Sequence, residues 1–183
     1  MAARYSASVT NRQTLPLLWL LSDDRNDAGL ESALRNLPQG SGFVFRHYHL
    51  SEAARRERFE ALAAIARACN QVVILSGAGD WGADGHYGPP ECWGAGLKLA
   101  TGHNGDEIDT ALAAGADGIF LSPVFPTRSH PGAPMLGVMG FRVLAQQSPV
   151  PVIALGGMNR ARADELDWPR WGAIDGLAST KVA

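Results

Sequence analysis

Eight short apolar segments recur along this chain, and together they restrict its fold more than any other feature of the sequence. Most of them are apolar throughout instead of alternating with polar residues, which is typical of strands buried on both faces of a parallel sheet. We predict strands at residues 17–21, 42–46, 71–75, 85–86, 97–100, 118–121, 152–155 and 176–178.

Amphipathic helical patterns lie between several of these strands. They predict helices at residues 28–37, 52–68, 106–114, 140–147 and 160–166. Ser51 and either Asn104 or Gly105 are suited to cap two helices at the amino end, and Gly115 is suited to a carboxyl-terminal cap. Residues 76–96 show no helical pattern and are rich in glycine and proline, so we expect shortened connections after the third and fourth strands.

The alternation of strands and helices predicts an α/β fold with a parallel sheet, and eight strands match the count of a (β/α)8 TIM barrel. At 183 residues the chain is compact for that fold, which usually needs roughly 200 residues or more. Because the sequence stops at about the end of the eighth predicted strand, we expect no eighth helix. A flavodoxin-like open sheet is the structural alternative. The length indicates one domain over residues 1–183, with residues 1–14 as a flexible N-terminal arm.

The composition limits the classes of partner. With 16 basic and 18 acidic side chains the net charge is −2, so the overall charge does not favour nucleic acid or an acidic membrane. Residues 15–21 are too short to span a bilayer and lack a small-residue cleavage site, so we interpret them as a buried strand. Cys69 and Cys92 lack the spacing of a metal site, which suits a reducing cytoplasm. We therefore expect a cytoplasmic protein that acts on small molecules, and the oligomeric state, a homo-oligomer included, stays open.

In a TIM barrel the carboxyl ends of the strands carry the functional site. Polar side chains collect at the predicted strand ends, and this enrichment indicates an enzyme. Four of the five histidines are among them: His47 or His49, His86, His103 and His130. A histidine metal site is the weaker interpretation, because no pair has helical ligand spacing and no strand carries two histidines beside a carboxylate.

Gly156 and Gly157 follow the seventh predicted strand and form a tight exit whose backbone amides can bind an anion. Taken alone, such a glycine pair is as often only a turn. Ser179 and Thr180 follow the eighth predicted strand, and loops after strands seven and eight are the usual phosphate site of these barrels. The combination favours a phosphorylated ligand.

Residues 122–130, SPVFPTRSH, resemble the GPVFPTxTK loop of thiamine phosphate synthases, the family that shares a superfamily with the thiazole tautomerases. The prolines stiffen a segment that presents hydroxyl groups. Further motifs of that family agree in order along the chain, most specifically over residues 101–158. They are TGHN at 101–104 with Glu107, GAD at 115–117, PVIALGGM at 151–158 and DGLA at 175–178.

The resemblance implies a (β/α)8 transferase of thiamine biosynthesis. Members of that family join an aminopyrimidine methyl diphosphate to a thiazole phosphate, release pyrophosphate and form thiamine phosphate, normally with Mg²⁺ as cofactor. The related tautomerases isomerise a thiazole carboxylate with a histidine placed directly before the V-F of the loop. Pro123 stands at that position and has no group for acid or base catalysis, so the synthase chemistry fits better.

The matching positions of the family's motifs imply two sets of site residues. On the thiazole phosphate, the resemblance places Thr127, Ser129, Gly156, Gly157, Ser179 and Thr180. On the diphosphate, it places the catalytic residues Arg46, His130 and Thr101, with His103 and Tyr48 as further candidates.

The diphosphate half departs from the family's pattern. Tyr48 and His130 stand where the family has lysines, and no carboxylate follows the third strand, where the family's aspartate holds magnesium. After the fourth strand Glu91 is the nearest candidate metal ligand, with Asp80 or Asp84 as substitutes if the loop is rebuilt. We therefore expect weak synthase activity. The alternatives are a non-catalytic barrel that binds a phosphorylated ligand, and a barrel enzyme with a different phosphorylated substrate.

Overall fold

The chain folds into a closed barrel of eight parallel strands, in which neighbours follow sequence order and the last strand pairs with the first. The structure is a computed structural model that describes residues 15–129, 132 and 134–177, so the predicted arm at 1–14 lies outside the described residues. The strands are β1 (Leu18–Leu21), β2 (Gly42–Phe45), β3 (Val72–Ser76), β4 (Gly85–Tyr87), β5 (Leu97–Gly102), β6 (Gly118–Leu121), β7 (Val152–Ala154) and β8 (Trp171–Ala173). The closure confirms the TIM barrel and excludes the open sheet.

Five α-helices lie between the strands and confirm the five predicted helical segments. They are α1 (Leu30–Asn36), α2 (Glu52–Ala68), α3 (Gly105–Ala113), α4 (Gly137–Gln147) and α5 (Arg160–Leu166). The Ser51 and Asn104 side chains accept hydrogen bonds from the first turns of α2 and α3, which confirms both as N-caps. The longest helix, α2, has 17 residues, and no helix in the described part of the chain has the length and apolar character needed to cross a bilayer.

The connections on either side of β4 are short, as predicted. No helix joins β3 to β4, and the segment between β4 and β5 contains one three-residue 3₁₀ turn, Pro90–Cys92. The predicted absence of an eighth helix concerns the chain after Leu177, which lies outside the described residues. The residues around β4 therefore form a thin side of the barrel wall.

The eighth strand lies earlier in the chain than predicted. Residues Trp171–Ala173 pair with residues 18–20 of β1, whereas Asp175–Leu177 form a 3₁₀ turn. The prediction of a strand at 176–178 was therefore wrong for residues 176 and 177, and Ala178 lies outside the described residues. A three-residue strand offers no apolar run long enough to stand out in the sequence. As a consequence, Asp175 and its neighbours lie at the barrel mouth.

Side chains fill the barrel interior, which is a packed core and not a pore. The fully buried Trp19 ring meets the Phe120 ring edge-on, with 5.4 Å between the centroids. Gly42 makes room for this indole, because a Cβ at that position would overlap the ring. A larger apolar cluster packs the outer face of the strands against the helices.

Candidate active site at the barrel mouth

A cavity of about 780 Å³ opens at the carboxyl ends of the strands, the end of a TIM barrel that carries function. Seven of the predicted residues line it: Arg46, Thr101, His103, Thr127, Ser129, Gly156 and Gly157. Of the other predicted residues, His130, Ser179 and Thr180 lie outside the described residues, and Tyr48 and Glu91 do not line the cavity. The structure thus brings members of both predicted sets together at one opening.

The proline-rich loop after β6 is fixed against the exit of β7. The Val124 amide donates to the Leu155 carbonyl at 2.9 Å, and the Phe125 amide donates to the Gly156 carbonyl at 3.1 Å. Two amides at the start of α4 donate back to carbonyls of the same loop at 2.9 and 3.0 Å. The loop is therefore anchored at both ends, and its hydroxyl-bearing part, with Thr127 and Ser129, remains on the cavity wall.

Gly156 and Gly157 form the exit of β7 against this loop. Their φ angles are +89° and +66°, a region that favours glycine. A Cβ on Gly156 would lie 2.6 Å from the Pro123 Cα, and a Cβ on Gly157 would overlap the Pro126 carbonyl. Neither amide nitrogen donates a hydrogen bond to another residue of the described ranges. Two such backbone donors on a cavity wall are suited to an anion.

The two loop hydroxyls are connected to each other and to a residue that sequence reasoning missed. The Ser129 amide donates to the Thr127 hydroxyl oxygen at 3.3 Å. The Ser129 hydroxyl accepts a hydrogen bond from the Arg25 guanidinium at 2.9 Å. Arg25 lies in the 3₁₀ turn Asp24–Gly29 that follows β1. It stands four residues after Leu21, the last residue of β1, and therefore beyond the strand end that the apolar pattern marks.

Arg25 and Arg46 share one carboxylate. The Asp23 Oδ1 atom lies 2.9 Å from Arg25 Nε, and the Asp23 Oδ2 atom lies 3.6 Å from Arg46 Nη1. Burial acts to raise the pKa of Asp23, but hydrogen bonds from Arg25 and the charges of both arginines outweigh it and hold the pKa below its ordinary value. The carboxylate is therefore ionised at neutral pH and keeps both guanidinium groups at the mouth.

The backbone of Arg46 is held by a buried polar network. Its amide donates to the Ser22 hydroxyl at 2.7 Å, which lies 2.8 Å from His47 Nδ1, and His47 Nε2 lies 2.7 Å from Asp27 Oδ1. Burial lowers the pKa of His47, and the neighbouring Asp27 offsets this only in part. The order of groups resembles a nucleophilic triad, but Ser22 and His47 are 0% and 1% exposed and cannot reach a substrate. The network therefore supports the position of Arg46.

Three polar residues predicted to lie near the strand ends, Tyr48, His86 and His103, differ in their position relative to the cavity. Tyr48 is not on the cavity wall: it is 61% exposed, and its hydroxyl is bonded to the Ser76 hydroxyl. The chain turns at His47, where φ is +43°, and the Tyr48 ring lies 5.8 Å from the guanidinium of Arg46, which lines the cavity. His86 is buried, and its Nε2 lies 3.0 Å from the Gly79 carbonyl. His103 is on the wall, with its Nδ1 2.7 Å from the Glu107 carboxylate.

The described residues at the ends of β3 and β4 form no cluster of carboxylates for a magnesium ion. Mg²⁺ is usually held by one or two carboxylates together with water and substrate phosphates, and within the described ranges no three histidine, cysteine, aspartate or glutamate side chains converge, Glu91 included. Asp84 accepts from the Val73 amide at 2.7 Å, at the opposite end of the barrel, so its prediction as a substitute ligand was wrong. At the end of β3, Arg55 instead donates to the Ser76 and Arg46 carbonyls at 2.6 and 2.8 Å. The guanidinium of Arg55 thus lies at the end of β3, where the resemblance would place the magnesium-binding aspartate.

Two further wall residues were missed from the sequence. Tyr87 ends β4, and burial raises the pKa of its hydroxyl to about 12, so this hydroxyl stays protonated and can donate a hydrogen bond. Arg162, near the start of α5, donates to the Gly157 carbonyl, and its guanidinium lies 5.1 Å from the centre of the Phe125 ring. Arg162 stands five residues after Gly157, so only the winding of α5 brings it back to the strand exit.

Positive charge dominates the cavity wall. Four arginines line it, namely Arg25, Arg46, Arg128 and Arg162, against the described carboxylate Asp175 on the wall and Asp23, which pairs with the first two. Because the guanidinium group stays protonated throughout the physiological range, this charge is permanent. The wall therefore favours an anionic ligand.

The part of the chain that carries the proline-rich loop and the glycine pair is similar in sequence to known proteins. Residues 99–173 match the thiamine monophosphate synthase family. This confirms the resemblance found in the sequence, over the segment that carries the proline-rich loop and the glycine pair. A thiamine-phosphate synthase of Chloroflexus aurantiacus is 38% identical over 83 residues, 45% of this chain and 37% of that protein. One from Lactococcus lactis subsp. cremoris is 32% identical over 76 residues, 41% of this chain and 34% of that protein.

The matched segments span about a third of the length of these curated relatives. A solved structure of thiamine phosphate pyrophosphorylase from Pyrococcus furiosus superposes with a TM-score of 0.76 over 93% of each chain, at 20% identity. The YdjI aldolase from Escherichia coli K12 gives 0.59 over 91% of this chain and 78% of its own, at 8% identity. Structural likeness at such identities shows the fold alone. The family match thus covers β5 to β8, and Arg46 lies outside it.

Proposed function

We propose that this protein is a transferase of the thiamine phosphate synthase type, which couples an aminopyrimidine methyl diphosphate to a thiazole phosphate. The observation that supports this most is that Gly156 and Gly157 line the same cavity as the hydroxyl-bearing residues Thr127 and Ser129. Backbone amides and hydroxyls are the donors that bind phosphate in these barrels. These four residues also lie within the segment that matches the family.

The proposed reaction breaks one bond and forms one. The C–O bond between the pyrimidine methylene carbon and the diphosphate breaks, and its electron pair leaves with the pyrophosphate. The lone pair of the thiazole nitrogen then forms the new C–N bond to that carbon. Neither step needs a protein nucleophile or base, so the protein has to orient the two substrates and stabilise the charge that develops on the leaving group.

Arg46 is the residue we propose for that charge. It is on the wall, its backbone is held by Ser22, and its side chain is paired with Asp23. Thr101, at the end of β5, supplies a hydroxyl on the same wall. Because four arginines line the cavity and the described carboxylates near β3 and β4 do not converge, we propose that guanidinium groups neutralise the diphosphate.

A non-catalytic binder of a phosphorylated ligand is the second candidate. It is supported by the half of the mouth formed by β1 to β4, which lies outside the family match. In that half Tyr48 does not line the cavity, and no three of the described acidic, histidine or cysteine side chains converge. Such a protein would keep the phosphate wall at β6 and β7 and lack the groups that drive departure of pyrophosphate.

The two candidates are separated by measuring binding and turnover on the same preparation. Purified protein is titrated calorimetrically with thiazole phosphate, then incubated with both substrates, with Mg²⁺ or with EDTA, and thiamine phosphate is quantified by chromatography. We expect tight thiazole phosphate binding and slow product formation, both reduced in Thr127→Ala. Arg160→Ala, on the exposed face of α5, serves as the control and should match the wild type. Binding without product would support the binder, and neither binding nor product would refute both.

A further inference from the structure

Arg25 connects three parts of the barrel mouth that are far apart in the sequence. Its Nε lies 2.9 Å from the Asp23 carboxylate, and its Nη2 donates to the Ser129 hydroxyl at 2.9 Å. Its Nη1 lies 3.5 Å from the Asp175 carboxylate. These partners follow β1, β6 and β8, respectively. The side chain lines the cavity and keeps 29% of its exposure, so it is held in position and still open to a ligand.

The donors of this guanidinium are not all used by its partners. Arginine presents five N–H donors in a planar fork, and the Nε and Nη1 sides of Arg25 are directed at carboxylates. The Nη2 side contacts a neutral hydroxyl, which accepts one hydrogen bond and supplies no opposing charge. Donor capacity and positive charge are therefore left on the side that faces Ser129. That is the part of the proline-rich loop proposed to bind phosphate.

The neighbouring acids do not cancel the charge available to a ligand. Asp23 is shared between Arg25 and Arg46, and Asp175 is 41% exposed, so water screens its attraction. A phosphate monoester that enters beside Ser129 would meet a guanidinium already fixed by two ion pairs. A group fixed in advance loses little conformational freedom on binding, so its hydrogen bonds contribute more to affinity.

We propose that Arg25 binds the phosphate monoester of the ligand together with Ser129, and so selects a phosphorylated compound over the corresponding alcohol. The proposal rests on the proposed function in that it takes thiazole phosphate as the ligand. Arg25 takes part in no bond-breaking step. Its role is recognition, and it adds a charged contact from the turn after β1 to the amides and hydroxyls at the ends of β6 and β7.

The test measures three dissociation constants by calorimetry: for thiazole phosphate, for the thiazole alcohol without phosphate, and for inorganic phosphate. Arg25→Ala should weaken binding of thiazole phosphate and inorganic phosphate by about 10- to 100-fold, as expected for lost hydrogen bonds to a charged group. Arg25→Lys keeps the charge but not the fork and should give an intermediate loss. Affinity for the alcohol should not change in either variant.

Arg160→Ala is the matched control, because Arg160 is 82% exposed on α5 and paired only with Asp164 among the described residues. If Arg25→Ala binds thiazole phosphate as tightly as the wild type, the role of Arg25 is refuted and the proposed function stands. An equal loss for phosphate and alcohol would show a merely structural role, and would also refute it. If the wild type binds neither phosphate compound, the proposed function itself fails. Thermal unfolding checks that each variant is folded. If Arg25→Ala does not fold, the same comparison is made with Arg25→Lys.

Discussion

The contact between the glycine pair and the proline-rich loop can be tested by adding one methyl group. In Gly156→Ala, the new Cβ would lie 2.6 Å from the Pro123 Cα and 2.7 Å from its Cβ. Both atoms belong to a rigid residue, so the methyl group cannot be accommodated by rotating a flexible side chain. The substitution must move the loop or the β7 exit, and both carry proposed phosphate donors.

The expected loss of stability has two parts. Placing an L-residue at φ +89° costs about 1–2 kcal/mol, as does any left-handed position. Forcing the Cβ against Pro123 adds about 1–3 kcal/mol, the usual cost of inserting a methyl group into a packed site. For a chain of 183 residues, each kcal/mol lowers the melting temperature by roughly 2–4 °C.

Gly115→Ala separates the two parts, because Gly115 has φ +84° but no neighbouring atom within 4 Å of the point where a Cβ would lie. It lies before β6, at the end of the barrel opposite the cavity. Urea unfolding should show a loss of about 1–2 kcal/mol for Gly115→Ala and about 2–5 kcal/mol for Gly156→Ala. Phosphate affinity should fall only in Gly156→Ala. Equal destabilisation by the two variants, with phosphate binding unchanged, would refute the close approach of loop and glycine pair.

Three further predictions concern pH, metal and specificity. Because the pKa of His47 is lowered from 6.5 by burial, its contribution to stability is present above pH 6.5 and lost as pH falls through the lowered value. Urea unfolding from pH 8 to 5 should therefore show a steeper loss for the wild type and His49→Gln than for His47→Gln, and equal slopes would contradict this. Pyrophosphate affinity measured by calorimetry should change little between Mg²⁺ and EDTA, whereas a large loss in EDTA would reveal a metal site. The protein should not isomerise thiazole carboxylate phosphate, because Pro123 has no acid or base; turnover abolished by Thr127→Ala would overturn this.

Much of the fold could be predicted because the strands and helices have separate sequence signatures. The bounds of α2 and α5 agree with the predicted helices 52–68 and 160–166, since an apolar stripe and a capping residue mark each of them. The eighth strand could not be found in this way. Its three residues gain their pairing from β1 and β7, which is tertiary information. A short strand of this kind has no local signal.

The site was predictable in position but not in the direction of its side chains. The strand ends at Phe45 and the chain turns at His47, where φ is +43°, so Arg46 reaches the cavity and His47 is buried behind it. The apolar pattern of the sequence locates a strand end only to within one residue, so it does not predict which of these two side chains enters the cavity. Arg25 and Arg162 were missed for a different reason, because each returns to the mouth from a helical turn beyond the strand end.

The origin of the positive charge decides how the site should respond to pH. The family's lysine positions hold Tyr48 and His130 in this chain, and a histidine with an ordinary pKa of about 6.5 is mostly neutral at pH 7. A leaving diphosphate neutralised by His130 would therefore depart faster as pH falls below neutrality. The arginines on the described wall keep their charge over this whole range. A coupling rate that is flat between pH 6 and 8 would thus assign the leaving-group charge to Arg46 and its neighbours, whereas a rate that rises toward pH 6 and becomes flat in His130→Lys would assign it to His130.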